Sequence, residues 1–130
     1  MKKILIVIAN YYPEISEKLL ESAKSGLSDY DVDIIFAPGI FEIPVIISKN
    51  IDSYEGVIAL GCVIKGETPH FDFISQACND GIMKISIENK KPIGNGILTC
   101  LNKNQALARV GKGLEATSAT IQVLNNEITR

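Results

Sequence analysis

The sequence predicts a three-layer α/β/α fold in which a parallel sheet lies between two layers of helices. Apolar runs such as "KILIVIA" do not alternate with polar residues, and runs of this kind recur between amphipathic helical patterns. Unalternating β-branched runs are typical of strands that are buried on both faces. Strands that alternate with helices indicate a parallel sheet. The 130 residues contain no repeat or linker, so we expect one domain over residues 1–130.

The predicted strands are, in order, Lys3–Ala9, residues 32–38, Gly56–Ile64 and the glycine-rich segment "KPIGNGILTC". The predicted helices cover "ISEKLLESAKSGL", a short segment through Lys49 with Pro44 in its first turn, residues 69–89, and a last helical region that is interrupted at "VGKG". The inner face of the third helix is predicted to carry Phe73, Ile74, Ala77, Ile82 and Ile85. The simplest strand order is 2-1-3-4, as in flavodoxin-like proteins.

Composition and charge favour an ordinary globular protein. Hydrophobic residues make up 46% of the chain and charged residues 22%, which is not the balance of a disordered segment. The formal net charge is -2 and basic runs are short, so neither nucleic-acid binding nor a membrane association is expected. The cysteines at positions 62, 78 and 100 are widely spaced, which indicates free thiols in a reducing compartment. We expect a cytoplasmic protein.

Three irregular segments follow predicted strands: "NYYPE", "PGIFE" and "KGETPH". In open α/β sheets, ligands bind beyond the carboxyl ends of the strands. These segments are distant in sequence, but they are predicted to meet at one edge of the sheet. That edge is therefore the expected place for a ligand site.

The segment "KGETPH" contains the only histidine of the chain, His70. Thr68 is a suitable helix N-cap, and Pro69 suits the first helical position. The free N–H groups and positive dipole end of such a helix attract anions, and Lys65 lies beside them. Local chemistry leaves two interpretations equally open. One is a phosphate or carboxylate site with a histidine at its rim, and the other is a capped helix with a solvated histidine.

The other candidate side chains also have two interpretations. Tyr11 or Tyr12 could stack on a planar ring, or could be a surface tyrosine. Phe41 could contact a ligand or pack in the core, and Glu42 could bind a ligand or act as a charge at a helix N-terminus. Arg109 could bind a phosphate or be solvated.

Several alternative chemistries are disfavoured. A nucleotide P-loop requires a lysine where Glu67 stands, and the residues after Gly61 read as a strand. Cys62 is expected to be a buried apolar residue and not a nucleophile. One histidine and scattered carboxylates form no metal ligand set. A receiver domain needs an acceptor aspartate at a strand end, and strands two and three end in "FAPG" and "VIKG".

Three segments, "PGIFEIP", "ALGCVIKGETPHFDFI" and "GILTCLNKNQALAR", resemble the 6,7-dimethyl-8-ribityllumazine synthases of riboflavin biosynthesis, in the same order and at similar separations. The resemblance covers nearly the whole chain. It implies an enzyme that condenses 5-amino-6-(D-ribitylamino)uracil with 3,4-dihydroxy-2-butanone 4-phosphate to give the lumazine, phosphate and water. It implies no metal or organic cofactor. The alternative is a catalytically inactive module of the same fold that binds a flavin or lumazine.

The resemblance also implies site residues, position by position. His70 matches the residue that transfers protons. The positions that match contacts to the ribitylaminouracil are Tyr11, Ile40, Phe41, Glu42, Cys62, Val63, Ile64 and Asn95. The positions that match contacts to the butanone phosphate are Glu67, Thr68 and Arg109, with Lys112 as a further candidate. In the family, the residues at the positions of Asn95 and Arg109 reach the site from a neighbouring subunit.

Family members form pentamers, stacked decamers or icosahedral shells. The "RVGKG" stretch is shorter than the corresponding family loop, which normally carries basic residues, and Lys112 is what remains of it. Asn95 occupies a position that is often aromatic. With its short N-terminus and short loop, the chain is expected to form a simple homopentamer, and riboflavin synthase is a candidate partner.

Overall fold

The computed structural model describes residues 1–129, and in this part of the chain four parallel strands form one sheet. The strands are β1 (Lys3–Ala9), β2 (Asp31–Ala37), β3 (Gly56–Ile64) and β4 (Ile93–Cys100). Their order is β2-β1-β3-β4, which confirms the predicted topology. The bounds of β1 and β3 are those predicted from their apolar runs.

The helices are α1 (Pro13–Lys24), α2 (Ile43–Asn50), α3 (His70–Asn89), α4 (Lys103–Ala108) and α5 (Lys112–Leu124). The interruption predicted at "VGKG" is confirmed, because residues 109–111 separate α4 from α5. The predicted turn "PGIFE" contains a short 3₁₀ helix, Ile40–Glu42, and a second 3₁₀ helix, Ile51–Ser53, follows α2.

Alternate residues of β1 pack in different layers. Leu5, Val7 and Ala9 belong to a core that includes residues of α2 and α3. Ile4, Ile6 and Ile8 belong to a core that includes residues of α1 and α5. Helices therefore cover both faces of the sheet, which confirms the three-layer α/β/α prediction.

The predicted inner face of the third helix is partly wrong. Phe73 is 69% exposed and Ala77 is also exposed, whereas Cys78 is buried. The buried side of α3 runs through Ile74, Cys78 and Ile82, and residues four apart in sequence share a helix face. Phe73 lies about 100° round the helix from Ile74, and this rotation places its ring in solvent.

Large apolar side chains are exposed on several elements. Phe41 lies in the first 3₁₀ helix and Val45 lies in α2, just after it. Helix α3 adds Phe73, Met83 and Ile87. Exposed apolar surface on this scale is typical of protein–protein contacts.

None of the helices within residues 1–129 is long and apolar enough to cross a membrane.

Helix α5 packs closely on β4 at Gly94. A Cβ atom at this position would overlap the side chain of Thr120 and the backbone carbonyl of Ala116. Thr120 Oγ1 itself donates to the carbonyl of Ala116 at 2.8 Å, so neither group can move without losing a buried hydrogen bond. The glycine is required here by the short distance between helix and strand.

We expect Gly94→Ala to lower the free energy of unfolding by about 1–3 kcal/mol, because overpacking displaces α5 from the sheet. Urea denaturation followed by circular dichroism measures this. The matched control is Gly66→Ala, where an added Cβ meets nothing within 4 Å, so stability should change by less than about 1 kcal/mol. Equal stability of the two variants would contradict the close packing of α5.

Candidate active site

The strands end at different heights on the carboxyl side of the sheet. β1 and β2 stop together, because Ala9 pairs with Ala37. The pairing of β3 with β1 ends at Leu60, yet β3 continues to Ile64 beside β4. The last residues of β3 therefore extend beyond the end of β1.

This overhang presents backbone groups to the space above β1. Val57 donates its N–H to the carbonyl of Pro92, and Lys65 donates to that of Cys100, so odd-numbered residues turn their backbone toward β4. Because the direction alternates along a strand, Cys62 and Ile64 turn their N–H and C=O groups to the opposite side. Such groups need hydrogen-bond partners when they are covered, and a ligand can supply them.

A cavity of about 400 Å³ lies at this place, and we call it the tyrosine cavity. It is lined by Tyr11, Tyr12, Gly39, Ile40, Phe41, Glu42, Cys62, Val63, Ile64, His70 and Ile74. Eight of these are predicted site residues, and they come from the loop after β1, the 3₁₀ helix after β2, the end of β3 and the start of α3. The volume falls in the range of small-molecule sites.

Ile40 closes the floor of the tyrosine cavity. Its side chain is 5% exposed and lies over Gly61 of β3, where a Cβ atom would come within 2.8 Å of Ile40 Cγ2. The absence of a side chain at position 61 therefore lets the 3₁₀ helix approach the sheet. The next residue, Phe41, is 60% exposed, so its alternative interpretation as a core residue is wrong.

The two tyrosines form one wall. Their rings make an edge-to-face contact with centroids 4.9 Å apart. Tyr12 is anchored, because its carbonyl accepts the N–H groups of Ile15 and Ser16. Burial raises the pKa of Tyr12, and Tyr11 and Cys62 contribute further to this rise. Tyr11 is 69% exposed, so one face of its ring is available for stacking.

Cys62 is a buried apolar residue, as predicted. Burial raises the pKa of its thiol to about 12, with Cys100 as a second cause. The thiol therefore stays protonated at neutral pH and is a poor nucleophile. The three cysteines are all free and buried, which confirms the prediction of free thiols.

The prediction that Thr68 caps α3 needs correction. The cap position is occupied by Pro69, whose carbonyl accepts the N–H groups of Asp72 and Phe73, and α3 begins at His70. Thr68 Oγ1 lies 3.5 Å from the backbone nitrogen of His70, too far for a strong cap. Glu67 and Thr68 are exposed in the loop before the helix, outside the lining of the tyrosine cavity, and only His70 reaches it.

Arg109 and Lys112 line a different cavity of about 550 Å³, which we call the arginine cavity. It lies where the end of β4 meets the break between α4 and α5. Lys112 Nζ is 3.4 Å from Glu115 Oε1, so a carboxylate stands beside the two cations. The structure thus separates the predicted phosphate-binding arginine from His70 within one chain.

Asn95 lies on β4 at the free edge of the sheet, outside the lining of both cavities. Its Nδ2 donates to Asn79 Oδ1 at 2.9 Å, and its Oδ1 accepts the backbone N–H of Ile97 at 3.0 Å. The side chain is exposed, and both of these hydrogen bonds are made within its own chain. Within residues 1–129, no group of three or more histidine, cysteine, aspartate or glutamate side chains could hold a metal ion.

Three lining residues, Tyr12, Gly39 and Ile74, are not among the site residues that the family resemblance implied. Ile74 could have been found, because it lies one helical turn after His70 on the same face. Tyr12 was one of two alternatives for the stacking residue, and the structure places both rings at the cavity.

The fold and the tyrosine cavity together define an open α/β protein with a small-molecule site at the carboxyl edge of its sheet. A family model described as 6,7-dimethyl-8-ribityllumazine synthase matches residues 1–127. The chain belongs to this family of riboflavin-biosynthesis enzymes, as the sequence resemblance predicted.

Bacterial relatives agree with this assignment. The 6,7-dimethyl-8-ribityllumazine synthase of Cutibacterium acnes is 39% identical over 132 residues, which cover 94% of this chain and 80% of the relative. That of Corynebacterium kroppenstedtii is 38% identical, covering 92% and 80%. That of Ruthia magnifica subsp. Calyptogena magnifica is 36% identical, covering 94% and 83%.

The buried thiol of Cys78 should make the free energy of unfolding depend on pH in the alkaline range. Burial raises its pKa to about 11, so between pH ~9 and ~11 the unfolded chain has lost a proton that the folded chain retains. The free energy of unfolding must then fall as pH rises. In Cys78→Ala this fall should be shallower by about 1 kcal/mol per pH unit, as measured by urea titrations across this range. Parallel pH profiles would contradict a protonated thiol.

Proposed function

We propose that this chain condenses 5-amino-6-(D-ribitylamino)uracil with 3,4-dihydroxy-2-butanone 4-phosphate to form 6,7-dimethyl-8-ribityllumazine, phosphate and water. Family membership supports the reaction. The observation that supports the site is the tyrosine cavity, where eight predicted residues that are distant in sequence line one space. We further propose that residues 1–130 form one domain, which works in the cytoplasm without a cofactor.

The ribitylaminouracil occupies the tyrosine cavity in this proposal. The pyrimidine stacks on Tyr11, and its polar edge bonds to the backbone groups of Cys62 and Ile64, with Val63 lining the cavity between them. The ribityl chain lies along the 3₁₀ helix, near Ile40, Phe41 and Glu42. The overhang of β3 supports this placement, because it offers backbone donors and acceptors that β1 does not use.

His70 transfers protons in the proposed mechanism. An amine adds to the ketone, water and phosphate leave, and a second ring closes, and each of these steps moves a proton. Histidine can give and accept protons near neutral pH. Its place on the cavity lining suits this role. Much of the acceleration comes from holding two substrates together.

The phosphate end of the second substrate requires a neighbouring copy of the chain. Glu67 and Thr68 flank the phosphate from the loop before α3, and Arg109 of the next subunit binds it, with Lys112 beside it. Two observations support a shared site: Arg109 and Lys112 line a separate cavity, and apolar side chains are exposed around the 3₁₀ helix and α3. We propose a homopentamer or a multiple of it, with Asn95 also facing the neighbouring site and riboflavin synthase as a candidate partner.

The alternative function is a catalytically inactive module that binds a flavin or lumazine. The matched polar side chains Glu42, His70 and Arg109 are all present, and this favours an enzyme. Following lumazine absorbance with both substrates distinguishes the two. A rate no higher than that of the uncatalysed condensation would leave the binding module as the function.

Substitutions in the two cavities should change different kinetic constants. We expect His70→Ala to lower kcat roughly a hundredfold without abolishing turnover, since a general acid–base residue is removed. Arg109→Ala should raise the KM for the butanone phosphate about tenfold or more and change kcat less. Arg109→Lys keeps the charge but loses bidentate geometry, so its KM should lie between that of the unmodified chain and that of Arg109→Ala. If Arg109→Ala leaves both constants unchanged, the phosphate assignment is wrong.

Mixed oligomers test whether the site is shared. His70→Ala and Arg109→Ala should each have low kcat/KM, but after dissociation and reassembly of an equal mixture, about a quarter of the sites combine an intact His70 with an intact Arg109 from the neighbour. Activity should then rise well above that of either variant alone. Each variant reassembled by itself is the control. A site built within one chain predicts no rise.

A further inference from the structure

A third cavity, of about 650 Å³, lies behind the wall of tyrosines. We call it the rear cavity. It is lined by Tyr11, Tyr12, Pro13, Glu14, Ile64, Leu101, Asn102 and Lys103. It shares Tyr11, Tyr12 and Ile64 with the tyrosine cavity, so these residues separate two spaces. Contacts made on the rear-cavity side of these shared residues can therefore affect the position of Tyr11.

An ion pair spans the rear cavity. Glu14 Oε2 and Lys103 Nζ are 2.7 Å apart. Glu14 lies in the first turn of α1 after β1, and Lys103 begins α4 after β4. Strand β3 lies between β1 and β4, so the pair joins the starts of two helices that follow non-neighbouring strands.

The position of Lys103 is not explained by its own helix. A cation at the first residue of a helix is unfavourable, because the helix dipole is positive there. Helix α4 already has a neutral cap, since Asn102 Oδ1 accepts the N–H of Gln105 and Gln105 Oε1 accepts the N–H of Leu101. Glu14, by contrast, is favoured at the start of α1. The hydrogen bond to Lys103 lowers the pKa of Glu14, so the Glu14 carboxylate is charged at neutral pH.

Tyr11 has few other restraints on its side chain. Its ring contacts that of Tyr12 but is 69% exposed, and Glu14 follows only three residues later. The backbone of Tyr12 is fixed by α1, because its carbonyl accepts from Ile15, Ser16 and the hydroxyl of Ser16. The direction in which α1 begins therefore sets the backbone position from which the Tyr11 ring projects.

We infer that Glu14 and Lys103 are positioning residues, which hold the start of α1 so that Tyr11 stands at the correct angle to stack on a planar heteroaromatic substrate. The stacking role rests on the proposed function. The positioning itself does not, because it concerns only the order of the Tyr11 side chain.

The chain contains no tryptophan, so Tyr11→Trp introduces a single fluorescent reporter at the position in question. We expect Glu14→Gln, added to this reporter, to increase the fast component of the indole anisotropy decay about twofold. In the chain that retains Tyr11, Glu14→Gln should raise the KM for the ribitylaminouracil about two- to fivefold, the range available to an exposed ion pair, with kcat changed less than about twofold.

Two further variants make the test specific. The exchange Glu14→Lys with Lys103→Glu restores an ion pair of opposite direction and should recover most of the KM and the anisotropy. Lys84→Gln removes a comparable exposed partner from the pair with Glu88 on α3, 4.0 Å apart, and should change neither reading. Unchanged anisotropy of the reporter in Glu14→Gln, or an exchange variant as impaired as the single variant, would overturn the inference. Failure of the unmodified chain to form lumazine would reject the proposed function and leave the anisotropy test intact.

Discussion

Strand β1 is buried on both faces, and the rest of the structure depends on this constraint. Its residues from Ile4 to Ala9 are at most 2% exposed, so helices must cover the sheet on each side. A parallel sheet meets that requirement, because every connection crosses over one face. All four strands then point the same way, and the loops that follow them gather at one edge. The candidate active site is a consequence of that gathering.

A difference in strand length converts this edge into a binding surface. β3 extends beyond the end of β1. The space left above β1 is enclosed by Tyr11, Tyr12 and the 3₁₀ helix Ile40–Glu42. Gly61 allows Ile40 to approach closely enough to form its floor. The basic side chains, however, follow β4 at the far side of the sheet. The topology thus places the histidine and the arginine of one chain in separate cavities.

The sequence predicted most of the fold because its signals were local. The apolar runs of β1 and β3 are bounded by polar or turn residues, and their bounds were found without error. The inner face of α3 was partly mistaken, because aromatic Phe73 suggested burial where the helical rotation places it in solvent. Thr68 is a strong capping type, yet the chain turns one residue later at Pro69. Propensity could not decide these cases, since packing overrides it.

The site was predictable in part. The residues of the tyrosine cavity lie at the end of strand three or in the segments that follow strands one to three, so a parallel sheet brings them together. The separation of Arg109 from His70 depends on the strand order and on where α4 breaks, and their meeting across subunits was implied only by the family resemblance. The ion pair of Glu14 and Lys103 joins helices that follow non-adjacent strands, and no sequence pattern indicates it.

The hydrogen bonds of Asn95 have a consequence for the solubility of the folded chain. An edge strand with free N–H groups can recruit a strand from another molecule, which is how open sheets aggregate. At the outer edge of β4, the N–H of Ile97 is already taken by the amide oxygen of Asn95. The opposite edge, β2, carries the exposed acidic residues Asp31 and Asp33. Both borders of the sheet therefore carry features that discourage pairing with a strand of another molecule.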